Sequence, residues 1–178
     1  MNDPTDLSDL TDLVIGMVAL NGGNLVSKIR LQKKFYLLDR CGLSSGLEFD
    51  YRYYGPFSAE LARASDDAVA ARRMHAQELL GFHEVPYTVY NTQEEASEQI
   101  GELSAERAQE LLKIMSDKSA VVLELAATIV YFRERGYGDR THAELKARKP
   151  LKATDHRIGK AHELLRRLGL KAEAHAPS

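Results

Sequence analysis

The chain has 178 residues, of which 44% are apolar and 28% charged, enough for the packed core of one domain or two small ones. Twenty-four Lys and Arg against 26 Asp and Glu leave a net charge of −2, which argues against a uniformly basic coat for nucleic acid or membrane. No run of about 18 apolar residues occurs, and the start, MNDPTDLSDLTDL, is acidic where a secretion signal is basic and then apolar. A cytoplasmic location with no membrane partner is therefore expected. The lone Cys41 excludes an internal disulfide and suits a reducing compartment.

In chain order, Leu10, Leu13, Val14, Met17 and Val18 recur at helical spacing and predict a first helix from about Ser8 or Thr11 to Leu20, with Asp6, Asp9 and Asp12 in its opening turns. Asn21-Gly22-Gly23-Asn24 stops it. Ser27 is an N-cap for a second helix, which carries Ile29, Leu31, Phe35 and Leu38 to Gly42. Lys28, Arg30, Lys33 and Lys34 crowd its first turns, and some of them are expected to face water. From Leu47 the period changes to two, predicting a strand through Tyr54 that Gly55-Pro56 closes as a turn. Ser58 then caps a long helix from Ala59 to about Leu80. A second strand spans Val85 to Tyr90, and Pro86 assigns it to a sheet edge.

The polar, acidic stretch from Asn91 to Gly101 separates an α+β region, residues 1–100, from a helical region, residues 101–178, unless the two form one continuous domain. In the second region Ser104 caps a helix to Met115, and Ser119 or Ala120 begins a strongly apolar one to Arg135. Thr141 with Glu144 has the spacing of a capping box for a short helix to Arg148. Thr154 caps the last helix, which ends at Gly169, and the tail beyond Lys171 is expected to fray. The fold class predicted is α+β and mostly helical, with helices packed on a small antiparallel sheet of two or three strands in a winged-helix-like front half.

No arrangement of residues announces a reaction. The six histidines lack the spacing that puts two metal ligands on one helical turn. Cys41 falls at a helix C-terminus, where the dipole disfavours a thiolate. Glu94-Glu95 lies in the polar linker, and neither a nucleophile elbow nor a phosphate loop is present. No catalytic residue, cofactor or metal is therefore expected. Two surfaces stand out instead. Tyr51, Tyr53, Tyr54 and Phe57 gather aromatics around a turn, with Tyr51 and Tyr53 expected on one face and Tyr54 on the other, as a partner-binding patch would. Between Tyr131 and Lys171, twelve Lys and Arg meet five Asp and Glu. A helix-turn-helix there would offer phosphates Arg148, Lys149, Lys152, Arg157 and Lys160. In a winged-helix arrangement Lys28 to Lys34 is the candidate recognition helix, and strands around Tyr51 and Tyr87 pair as a wing. Glu48, Asp50 and Glu84 would repel phosphate there.

Lys28-Ile29-Arg30-Leu31-Gln32-Lys33, then Tyr36, then Tyr53-Tyr54-Gly55-Pro56-Phe57-Ser58, resembles the signature of the YwgA-like bacterial proteins, with a moderate likeness continuing from Val122 to Pro150. The layout is more distantly similar to the Panacea (SocA-type) antitoxin domain, although Arg52 and Phe57 stand where that pattern has lysine and valine. The resemblance implies a non-enzymatic antitoxin- or adaptor-like binder, with Leu31, Gln32, Lys33, Tyr36, Tyr53, Tyr54, Gly55, Pro56 and Phe57 as motif residues. In physical terms Leu31 and Phe35 or Tyr36 would dock the helix on the strand, Gln32 would bond a strand-edge or turn backbone group, and Gly55-Pro56 would set the strand-to-helix angle. The function expected is a cytoplasmic protein-interaction module that also self-associates as a homodimer, its contact made by Tyr51 to Phe57 or by the apolar helix Val121 to Phe132. The alternatives are a DNA-binding regulator using the basic residues named above, and an enzyme with an unrecognised site.

Overall fold

In a computed structural model, which describes residues 7–170, helix α1 (Leu7–Leu20) buries Leu10, Val14, Met17 and Val18 at the predicted spacing. Asp6 and the tail from Lys171 lie outside the described residues. Gly22 and Gly23 both take left-handed φ angles and end α1. A short strand that the sequence did not suggest, β1 (Asn24–Val26), follows directly. Three residues are too few for a readable alternation.

Ser27 caps α2 (Lys28–Leu38), its Oγ accepting from the Arg30 N–H at 3.3 Å. Every residue from Leu31 to Leu38 is buried, lysines included. The expectation that α2 could serve as a recognition helix is therefore corrected: it lies inside the molecule, packed on other helices. Leu47 and Phe49 are buried while Glu48 and Asp50 are exposed, as the period of two requires. The strand is shorter than expected, because it folds back as a hairpin of β2 (Asp50–Arg52) and β3 (Gly55–Phe57). Gly55-Pro56 thus opens β3 instead of closing a strand, and Tyr53-Tyr54 forms the turn. Tyr51 pairs with Pro56, not with the Tyr87 strand, so the expected wing does not form.

Ser58 caps α3 (Ala59–Ala70), which stops ten residues earlier than the Leu80 predicted. Arg72 is left-handed, and the chain continues as β4 (His75–Leu80), hydrogen-bonded along its length to β5 (Pro86–Asn91). Met74 and Leu79 are five residues apart, a spacing no single helical face accommodates. The sheet order is β1-β5-β4, all antiparallel, so β5 is central and its assignment to an edge is corrected. Proline is tolerated because of parity. Thr88 and Thr92 bond toward β1, through Ser27 N to Thr88 O at 2.7 Å and Thr92 N to Gly23 O at 2.9 Å. Pro86 shares that parity but lies past the end of β1, where no partner needs its missing N–H.

A two-residue pair, β6 (Gln99–Ile100) with β7 (Leu103–Ser104), leads into α4 (Ala105–Met115), capped by Ser104 as predicted. Ser119 caps α5 (Ala120–Glu134), in which every residue from Val122 to Phe132 is buried. The apolar stretch proposed as a contact surface is instead the central core helix, packed on α2, β3 and the last two helices, α6 (Thr141–Arg148) and α7 (Asp155–Arg167). The expected capping box on α6 does not form. Thr141 Oγ1 donates to the Gly138 carbonyl at 2.7 Å, and Glu144 pairs with Arg148. Thr154 caps α7 and Gly169 ends it in a left-handed conformation. The fold is α+β and mostly helical, with small antiparallel sheets, and its core runs from Leu10 to Leu168. Among the described residues, no helix is long and apolar enough to cross a membrane.

Candidate functional site

The motif residues converge where α2, the β2–β3 hairpin and α5 meet. Gln32 Nε2 donates to the Ser58 carbonyl at 2.9 Å, and its Oε1 accepts from the Ser58 N–H at 3.0 Å. One side chain thus satisfies both polar groups of a buried peptide position and fixes α2 against the start of α3. Leu31 is core beside it, and Tyr36 sets its ring 4.9 Å from Phe49, edge to face. Lys33, 1% exposed, donates from Nζ to the Pro56 carbonyl at 2.5 Å. Burial pushes its amine down to about 8; the nearby Glu124 carboxylate opposes this, and the Lys149 and Lys152 ammonium groups add to it.

Glu124 was not singled out by sequence reasoning, although a lone carboxylate inside an apolar helix is a readable signal. It is buried on α5 and holds two lysines from the α6–α7 connection. Lys149 Nζ lies 2.5 Å from Oε1, and Lys152 Nζ lies 3.0 Å from Oε2. Lys149, 5% exposed, also donates to the Tyr53 carbonyl at 3.0 Å, which ties the hairpin turn to the same network. Gly55 completes the turn with φ of 88°, and a Cβ there would stand 2.6 Å from Thr128 Oγ1 on α5. Only glycine suits both the conformation and the approach.

Upon this base the turn presents its aromatics outward. Tyr53 is 79% exposed and meets Tyr54 edge to face at 4.9 Å, so the two rings share a tip instead of dividing between two faces. Lys152 Nζ sits 4.6 Å from the Tyr54 ring centre and 5.3 Å from that of Tyr53. Tyr54 borders a pocket of about 230 Å³ with Leu31, Gln32, Lys33, Phe57 and Tyr90. Tyr53 borders a separate open groove of about 790 Å³ with Tyr51, Arg52, Arg148, Leu151 and Lys152.

The five residues named for phosphate contact are not alike. Lys149 is buried on Glu124, Arg148 pairs with Glu144 and covers the Tyr51 ring at 4.9 Å, and Lys152 is half-buried. Arg157 donates to the Leu151 carbonyl at 3.3 Å and the Lys152 carbonyl at 3.4 Å, stiffening the connection before α7, and Lys160 is exposed. They do not form one solvent-facing row.

Elsewhere, the structure joins His142 of α6 to His162 of α7, Nε2 to Nε2 at 2.6 Å. Arg133 lies 3.4 Å from His162 Nδ1 and can only donate. We therefore assign the neutral His162 proton to Nε2, donating to His142, whose proton is on Nδ1. A sequence separation of 20 hid this pair. Among the described residues no group of three or more His, Cys, Asp or Glu is placed to hold a metal. Cys41 packs near α7, and burial pushes its thiol up to about 11. The β4–β5 turn carries Leu80, Phe82 and Val85 exposed, a second apolar tip the sequence did not suggest because Leu80 was placed in a helix. No family model matches the chain, and no curated relative matches it.

Proposed function

We propose that this protein is a non-enzymatic protein-interaction module, antitoxin- or adaptor-like, that receives a partner at the Tyr53-Tyr54 turn. The observation that carries this is an exposed aromatic pair on a turn braced from beneath by Gln32, Lys33, Lys149 and Glu124. Aromatic side chains on a rigid base lose little freedom on binding, and tyrosine adds a polar tip to its apolar area. The pocket and the groove flanking the turn give a partner concave surface as well. The resemblance of these residues to the YwgA-like and Panacea motif points the same way. Lys33 is engaged on a backbone carbonyl, and the Cys41 thiol is hard to ionise, so both are better suited to packing than to nucleophilic chemistry.

A photo-crosslinking phenylalanine analogue in place of Tyr53, in the native host cell, tests this. A discrete adduct from position 53, absent when the analogue replaces the exposed Glu106 on α4, is expected, and its mass tells a second copy of the chain from another protein. No adduct at position 53, or the same adducts from both positions, would overturn the proposal.

A further inference from the structure

We infer that the groove beside Tyr53 takes an acidic segment of the partner that carries one apolar side chain, an inference that rests on the interaction reading above. The first ground is charge. Arg52, Arg148, Lys149 and Lys152 line the groove and no carboxylate does, while one buried carboxylate, Glu124, lies beneath Lys149 and Lys152. At the rim Arg148 is paired with Glu144, whereas Arg52 reaches Asp50 only at 3.7 Å with both side chains mostly in water. Lys152, half-buried on Glu124 and lying against the Tyr53 and Tyr54 rings, faces the groove with Arg52. A carboxylate arriving from outside would meet both and complete the neutralisation that Glu124 begins.

The second ground is the apolar wall. Leu151 is 89% exposed on the connection between α6 and α7, and it lines the same groove as the exposed Tyr53 ring. An aliphatic or aromatic side chain lodged between them would remove apolar surface from water that the fold leaves open. Arg157 holds the Leu151 and Lys152 carbonyls, so this wall is set before a partner arrives. A polymer of phosphates fits less well, since Glu48, just before the hairpin, and Asp50, at its start, are exposed. A continuous charged backbone would meet them, but a short segment need not.

The test uses the full chain and a short fluorescein-labelled peptide of Asp and Glu around a single central leucine, read by anisotropy at about 50 mM salt. Saturable binding is expected, weakened at least about tenfold by Arg52→Glu and by Leu151→Ser, and weakened when serine replaces the peptide's leucine. Both protein variants change exposed side chains, and unchanged circular dichroism confirms their folding. Lys152→Met is expected to weaken binding as well, read with the same folding control because Lys152 also pairs with the buried Glu124. No binding, equal binding of a lysine counterpart of the peptide, or indifference to Arg52→Glu and Leu151→Ser would overturn the inference. Tighter binding of single-stranded DNA than of the peptide would overturn it in favour of nucleic acid. If the position-53 crosslink persists while the peptide fails, only the acidic chemistry is lost; if both fail, so is the interaction reading.

Discussion

Glu124 shows how a single buried charge organises its neighbours. Of the two ammonium groups on its oxygens, Lys152 is half-buried but Lys149 is buried, so removal of the carboxylate strands Lys149 without a counter-charge. Glu124→Ala is expected to lower stability by about 3–5 kcal/mol, read from urea unfolding. Replacing Glu124 and Lys149 together by methionine should recover much of that loss, because two apolar groups need no solvation in the core. A double variant as unstable as Glu124→Ala would count against the pair. His162 resists protonation more than an ordinary surface imidazole does. Burial, then the neighbouring His142 and Arg133, hold it below its usual value. The unfolded chain recovers about 6.5, so below that pH it takes up a proton the folded chain resists. Stability is retained above about pH 6.5 and lost as the pH falls through the lowered folded value. The urea midpoint should drop between about pH 7 and pH 5. His162→Gln should reduce that drop, and an identical drop in the variant would refute the assignment.

Among the elements, the β2–β3 hairpin depends most on one position. Gly55 combines a left-handed φ with contact to α5, so Gly55→Ala is expected to cost more than about 1 kcal/mol and to disorder the Tyr53-Tyr54 tip. Thermal melting checks the first effect and amide exchange at the turn the second; an unchanged melt would show that the tip is not held through Gly55. Helices with a strong stripe and a Ser or Thr cap were legible because both signals are local. Ser27, Ser58, Ser104 and Thr154 all cap where expected, and Ser119, one of two residues expected to begin its helix, caps it too. The strands were legible only in part. Whether His75 to Leu80 is helix or strand depends on β5 lying alongside, and Pro86 seemed to demand an edge because its parity relative to β1 cannot be known before the register is.

Across the whole molecule, α5 joins both halves of the chain. It packs on α2 from the front and on α6 and α7 from the back, within a core that runs from Leu10 to Leu168. Unfolding should therefore be cooperative, with circular dichroism and tyrosine fluorescence giving coincident urea transitions. Two separated transitions would mean that the halves unfold independently. Of the candidate site, the aromatic turn from Tyr51 to Phe57 was readable by residue type, whereas Gln32 and Lys33 were singled out only through the resemblance. Their roles were not readable. Nothing local marked Lys33 and Lys149 as buried, because burying an ammonium is costly unless an acceptor waits, and those acceptors are the Pro56 carbonyl and Glu124, 23 and 25 residues away. Apolar spacing and caps depend on neighbours in the chain, so composition and pattern were enough to specify the helices and the mostly helical class. Buried charge pairs, strand partners and the exposed tips depend on residues far apart in sequence, and only the packed chain could bring those together.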